Sequence, residues 1–380
     1  MPETGPETFD IAIIGAGIAG ASLAGELGDA ARMVLLERES QPGYHTTGRS
    51  AALFSETYGP PAIRALSRAS AAFFDAPPTG FAAAPLLSPR GVLMVARGDQ
   101  LGLIEETLAD PTTKGRFRRL DARAAGEMVP ILRTDYAAAA LYEENARDID
   151  VHALHHGYLR RFKSAGGRIE TDCEVRAVER VGERWHISTS KGDVAADIVV
   201  NAAGAWADEL GQMAGARTIG LAPKRRTAMM ISPPDGVDPS AWPMLVDIAE
   251  AFYMKPDAGK LLASPADETP SPPCDAQPEE LDVAICIDRI MTACDIDVRH
   301  IDNRWAGLRS FVADKTPVVG FDDGVPGFFW LAGQGGYGIQ TAPALARLAA
   351  ALVREQPVPR DIADEGVDAV DLSPARLTAV

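Results

Sequence analysis

The 380 residues exceed what a single core usually holds and suit two domains, interleaved or consecutive. Hydrophobic residues at 46% and charged residues at 24% are the make-up of an ordinary globular protein, and the formal net charge of −16 argues against nucleic-acid and membrane-surface partners. No apolar run reaches the ~18 residues of a membrane span, and the acidic opening MPETGPETFD has no apolar core of a secretory signal. Cys173, Cys274, Cys286 and Cys294 make no CxxC pair, so the chain reads as cytoplasmic with free, structural thiols.

In chain order, an apolar strand at 11–14 leads into Gly15, Gly17 and Gly20, then a helix of small residues, then a second strand at 33–36 ending in Glu37. This is GxGxxG in the setting that gives it meaning: strand, tight turn, helix, strand, terminal acid. Gly15 permits the turn, Gly17 lets a pyrophosphate approach the backbone, and Gly20 lets the helix lie close to the sheet. The helix start, at Ile18 and Ala19, offers N–H groups and the positive end of its dipole. Glu37, followed by Arg38, can accept from both ribose hydroxyls and would repel a 2′-phosphate, which disfavours NADP. The motif by itself leaves FAD and NAD open.

A turn at 39–43 precedes Thr46-Thr47-Gly48-Arg49-Ser50-Ala51, small and hydroxyl residues around a glycine. Periodicity predicts a helix at 63–74, stopped by Pro77-Pro78, and a strand at 92–95. Asp150 is placed to cap a helix at 151–164, closed by Gly166-Gly167. Strands at 173–181 and 185–190, with turns at Gly182 and Gly192, predict a meander that feeds a strand at 197–200 ending in NAAGAW. Further strands are predicted at 227–232, 244–247 and 251–255. A Pro-rich loop at 266–278 and a helix carrying Leu281, Ala284, Ile285 and Asp288 follow. From Trp305 the chain returns to sheet, reaches an apolar strand at 328–332, and runs through GQGGYGIQ into a long helix expected to begin near Pro343. The run 342–353, with Arg347 inside it, reads as amphipathic. No internal repeat is visible. His152, His155 and His156 share one helix at i, i+3 and i+4. With Arg160 and Arg161 beside them and no cysteine near, they read as a solvated face, and no metal site is expected.

The glycine run at 333–338 is the second strong signal. Backbone N–H groups there point at whatever lies before the helix. A strand–glycine–helix unit at each end of the chain suits a large dinucleotide, the second unit standing beside the pyrimidine edge of a flavin.

These segments together resemble the D-amino-acid oxidase superfamily of FAD enzymes, and within it the bacterial FAD-dependent D-arginine dehydrogenases. The matching stretches are GAGIAGAS, LERESQPGYHTTGRSAA, VNAAGAW, PKRR with FYMKPDAG, WAGLRSFVAD and GQGGYGIQT, spread over residues 11–341. The resemblance implies an α/β fold: a Rossmann-like FAD-binding domain of the glutathione-reductase type (9–85, 148–218 and 306–375) and a β-sheet-based substrate domain (86–147 and 219–305). It implies FAD contacts from the first glycine turn, from His45 through Ala51, from Ala203, Gly204 and Trp206, and from Gly333, Gly335, Gly336, Tyr337, Gly338, Ile339 and Gln340. His45 stands where some related amine dehydrogenases attach flavin covalently; non-covalent FAD is expected here. Arg309 is implied as the partner of a substrate carboxylate and Tyr253 as a second donor to it. A guanidinium fork with a phenol beside it suits that task. Arg226 adds positive potential, Gly336 and Gln340 lie near substrate or flavin, and Tyr58 resembles a gating tyrosine.

Two positions depart from the arginine-specific pattern. Val92 stands where those enzymes carry a glutamate after SPR, and Leu53 stands where they carry a histidine. Losing the acid removes a charge-assisted bond of about 1.5–3 kcal/mol to a cationic side chain. Leu53 and Val92, with Ser55 near them, are therefore expected to line an apolar distal pocket, with Glu56 as one compensating acid. The reading is oxidative deamination of a neutral, hydrophobic D-amino acid to a 2-oxo acid and ammonia, with oxygen, a quinone or a dye as acceptor. Oxidation of an N-alkyl or cyclic amino acid, or of a 2-hydroxy acid, would use the same clamp. An NAD-dependent dehydrogenase and a non-catalytic flavin-binding subunit are the remaining alternatives.

Overall fold

A computed structural model describes residues 5–377; the first four residues of the acidic N-terminal stretch lie outside the described residues. The architecture is the mixed α/β one expected. Its first sheet is built on Glu7–Ile14, whose apolar end is buried on both faces between two parallel neighbours, Met33–Leu36 and Val194–Asn201. Phe328–Ala332 joins Val194–Asn201 in parallel. Register aligns Ile14 with Leu36 and Asn201, and Asn201 with Trp330. The carboxyl ends of four parallel strands therefore share one edge, where crevices form in such sheets. The meander, Val175–Val181 with Arg184–Thr189, extends the sheet through Val194–Asn201.

Three helices cover one face of this sheet. Ile18–Leu27 packs against Val151–Ser164 and Gly338–Val353, and Pro61–Asp75 packs on Gly338–Val353. Asp150 caps its helix by accepting from the Ala153 N–H at 2.8 Å. The last long helix begins at Gly338, five residues before the expected Pro343. Pro343 is tolerated inside it because Ser70 Oγ, on the Pro61–Asp75 helix, accepts the neighbouring Ala344 N–H at 3.1 Å. Nor is this helix amphipathic as expected: nearly its whole circumference is buried, and Arg347 escapes only by pairing with Asp361 at 2.7 Å.

The second sheet centres on Ala222–Ile231. Ile301–Phe311 flanks it on one side; Lys260–Ser264, Tyr253–Asp257, Met244–Asp247, Val92–Ala96 and Ala139–Glu143 follow on the other. Alternation sorts its two faces. Met229, Leu245, Met254 and Leu261 pack against the Glu280–Ala293 helix, while Ala228, Tyr253 and Leu262 face the first sheet's half of the molecule. That helix buries Val283, Cys286 and Ile290 and leaves Leu281 67% exposed, so the expected face is displaced. Ile301–Phe311 runs straight through the expected domain boundary at 305/306. A small sheet of Leu53–Phe54, Arg147–Ile149 and Leu87–Pro89 stands between the halves. Among the described residues, no helix is long and apolar enough to cross a membrane.

Candidate active site

The first glycine turn is built for close approach. Gly15 has φ +103°, and a Cβ there would lie 2.3 Å from the Ala202 carbonyl oxygen. A Cβ on Gly20 would meet the Gly15 oxygen at 1.9 Å, so that glycine sits behind the turn and sets helix–strand packing. Glu37 accepts from the Ala16 N–H at 2.9 Å through Oε2 and from the Glu39 N–H at 3.0 Å through Oε1. Burial raises its carboxyl above the ordinary range against those two bonds. The Ile18 N–H is not free as expected; it donates to Thr47 Oγ1 at 2.9 Å.

One residue of this turn's support was missed. His155 is 3% exposed and its Nε2 lies 2.8 Å from the Ala16 carbonyl oxygen. It is no part of a solvated face. Desolvation holds its pKa down to about 4, with the His156 and His152 charges adding to the effect. The neutral ring therefore donates from Nε2. Gly43 makes room for it, since a Cβ there would lie 2.9 Å from the ring. The legible signal was helical spacing: His155 falls on the same stripe as Tyr158, Leu159 and Phe162.

A single cleft runs from Glu37 and Arg38 past both glycine turns to Arg226, Tyr253 and Arg309. His45, Thr46, Thr47, Arg49, Ser50, Ala51, Ala203, Gly204, Trp206, Gly333, Gly335, Gly336, Gly338 and Ile339 also line it. Gly20, Gly48, Tyr337, Gln340, Tyr58, Leu53, Ser55 and Val92 do not line it. Arg38 lies over the Trp206 ring at 4.7 Å, and the His45 ring packs on the same indole at 4.9 Å. His45 Nε2 is engaged by Glu39 Oε1 at 2.9 Å. The 43–51 segment is bolted to the second sheet: Thr46 Oγ1 donates to the Leu308 oxygen at 2.7 Å and Arg49 to the Ala306 oxygen at 2.8 Å.

At the far end Arg309 lies opposite Lys224, and Gly307 lies opposite Arg226. Period-2 alternation thus puts both arginines on one face, with a glycine leaving the space between them. The Arg309 guanidinium rests on Gly336, where a Cβ would come within 2.9 Å of Nη1. Burial disfavours its charge, but the phenols of Tyr58, Tyr253 and Tyr337 outweigh that and its pKa is raised. Among the described residues no carboxylate pairs with it. Arg226 is 8% exposed; its Nε donates to the Asp267 carbonyl at 2.8 Å, and Glu268, 3.4 Å away, is shared with Lys224 at 2.8 Å. Tyr58 stacks edge-on against Tyr337 at 5.1 Å. Gln340 accepts from the Ser55 N–H at 3.2 Å, and its Nε2 is buried without a partner.

The surroundings of Leu53 and Val92 are not apolar. Leu53 pairs with Asp148, whose carboxylate takes Lys255 at 2.8 Å and Arg90 at 2.7 Å. Val92 pairs with Met244 on one side and the buried Glu143 on the other. Glu56 is turned to Arg116 at 2.8 Å. Cross-strand neighbours, invisible in a local reading, supply the charges.

The glycine cradle, the half-free Glu37 carboxylate and the helix start at Gly338 together fit an FAD-sized group. The family comparison agrees. The chain belongs to the DAO family of FAD-dependent oxidoreductases, whose model matches residues 10–352. It is an oxidoreductase that uses FAD. It is 26% identical to glycine oxidase from Geobacillus kaustophilus over 93% of this chain and 95% of that protein. It is 23% identical to bovine FAD-dependent oxidoreductase domain-containing protein 1 over 92% of this chain and 82% of that one. Human mitochondrial dimethylglycine dehydrogenase is 25% identical over 56% of the chain, which spans only 27% of that protein. In fold, the crystal structure of the Geobacillus glycine oxidase superposes with a TM-score of 0.84 at 22% identity, covering 97% and 99% of the two chains. Iminodiacetate oxidase from Chelativorans sp. BNC1 gives 0.78 at 22% identity, covering 96% and 98%.

Proposed function

We propose that the enzyme oxidises the carbon–nitrogen bond of a free amino acid, gripping the substrate by its carboxylate. The observation that carries this is Arg309, a partly buried guanidinium at the end of the cofactor cleft with no carboxylate paired to it among the described residues. A desolvated, unpaired cation is costly unless an anion completes it. Tyr253, on the same wall, supplies a directed O–H, and Arg226 adds charge that Glu268 offsets only in part. The residues named in the 43–51 and 333–340 segments would hold FAD, which supplies a two-electron acceptor when bound. Arg309 and Tyr253 fix the carboxylate and so the direction of the Cα–H bond, and proximity contributes much of the rate. Among the described residues no carboxylate or imidazole lines the cleft beside Arg309 and Tyr253, and Glu268 is engaged by Lys224 and Arg226, so solvent takes the ammonium proton, helped by the two guanidinium charges.

For the substrate we favour a D-amino acid with a neutral side chain. The motif resemblance to D-arginine dehydrogenases supports the D-configuration. Both distal acids are already engaged, Asp148 by Lys255 and Arg90, Glu143 by hydroxyls, so neither waits for a cationic side chain. A secondary amine is the second reading, favoured by relatives named for dimethylglycine and iminodiacetate. We place FAD non-covalently, His45 being held by Glu39, and the reaction in the cytoplasm. The test is anaerobic mixing of the yellow holoenzyme with D- and L-amino acids and N-methyl amino acids. Bleaching by D-leucine, D-methionine or D-phenylalanine is expected. Bleaching by D-arginine alone would overturn the side-chain reading, and bleaching only by N-methyl amino acids would establish the second.

A further inference from the structure

Glu143 ends the Ala139–Glu143 strand and is 5% exposed. Its oxygens accept from Ser55 Oγ at 2.9 and 3.0 Å and from Thr57 Oγ1 at 2.9 Å. No lysine, arginine or histidine among the described residues pairs with it. The charged groups nearest it, Glu56 and Arg116, pair with each other. A buried carboxylate without a cation is expensive, and this one spends both oxygens on the hydroxyls of one short loop. That loop is anchored elsewhere too. The Thr57 N–H donates to Ser55 Oγ at 3.2 Å, the Ser55 N–H to Gln340 at 3.2 Å, and Arg64 Nε to the Gly59 carbonyl at 2.7 Å. Between these anchors stands Tyr58, against Tyr337 and the Arg309 guanidinium.

We propose that Glu143 is a positioning residue of the substrate site: its carboxylate clamps Ser55 and Thr57 so that Tyr58 stands at Arg309. The inference rests on the carboxylate reading of Arg309 given above. A carboxylate suits the task because both its oxygens only accept and it bonds hydroxyls more strongly than a neutral amide does, whereas a glutamine would turn an NH2 donor toward one of them. The clamp acts through the loop and touches neither substrate nor flavin.

The test uses the FAD-loaded enzyme and two readouts, the flavin absorbance change on titration with benzoate, a carboxylate that cannot be oxidised at Cα, and steady-state kinetics with the best D-amino acid. Glu143→Leu and, from the other side of the same bonds, Ser55→Ala with Thr57→Val should each raise the benzoate Kd and the KM about tenfold, the effect of losing roughly one hydrogen-bonded contact. The kcat should change less, FAD content should not change, and Glu143→Gln should fall between. Combining all three substitutions should be no worse than Glu143→Leu alone, because one set of bonds is removed twice. Should Glu143→Leu not fold, the loop pair carries the test. Variants that lose thermal stability but keep wild-type Kd and KM overturn the proposal, as do fully multiplicative effects. Failure of the wild type itself to bind benzoate would overturn the carboxylate reading, and the clamp with it.

Discussion

His155 makes folding stability depend on acid in a way that one substitution isolates. Its pKa is about 4 in the fold, against 6.5 for an ordinary histidine, a gap of about 2.5 units or about 3 kcal/mol. Because the folded form resists the proton, this stability is complete above about pH 6.5 and drains away as pH falls toward 4, where both states are protonated. His155→Gln keeps an N–H donor for the Ala16 carbonyl but cannot titrate; His155→Leu leaves that carbonyl unpaired at about 1–3 kcal/mol. Urea unfolding of wild type and His155→Gln between pH 4 and 7.5 measures the difference directly. Glu26, Glu37 and Glu143, whose carboxyl pKa values burial raises, work in the opposite sense and cancel in the subtraction. The two curves should converge by about 3 kcal/mol as pH falls from 6.5 to 4. A difference that stays constant across that range would refute the reasoning. His155→Leu should also weaken FAD binding, read as a higher Kd when the apoprotein is titrated with FAD.

Other consequences are as direct. Arg309→Lys keeps the charge and loses the fork, so the KM for the amino acid should rise about ten- to hundredfold, with FAD content unchanged. Gly336→Ala places a methyl 2.9 Å from Arg309 Nη1 and should raise KM in a protein that still folds; an unchanged KM would mean the guanidinium has another place to go. With no side-chain base lining the cleft beside Arg309 among the described residues, kcat/KM should climb with pH along the substrate amine's own titration, and a substrate of lower amine pKa should shift the curve down by the same amount. Acid precipitation should release all the yellow colour into the supernatant, whereas colour retained in the pellet would point to a link through a residue such as His45.

Much of this was legible in the chain, for a physical reason: the glycine turns, the 61–75 and 151–164 helices and the strand ends are set by local periodicity and backbone sterics. What escaped was set by contacts between distant segments. Ser70 lets a helix begin five residues before its proline. Register puts Asp148 beside Leu53 and Glu143 beside Val92, so two apolar letters border a charged interior. His155 looked solvated because its neighbours His152 and Arg160 are exposed, although its own stripe faces the core. Arg309 and Tyr253 became visible through a motif resemblance, and Glu143 through neither motif nor period.

The bonds from Thr46 to Leu308 and from Arg49 to Ala306 carry a consequence for assembly. The same 43–51 segment that lines much of the cleft also holds the strand that presents Arg309. A shift in the register of that strand would move the Leu308 and Ala306 carbonyls away from Thr46 and Arg49, and so disturb the cleft wall and Arg309 together. One short segment thus ties the geometry of the cleft to the geometry of the arginine, so damage at either is felt at both.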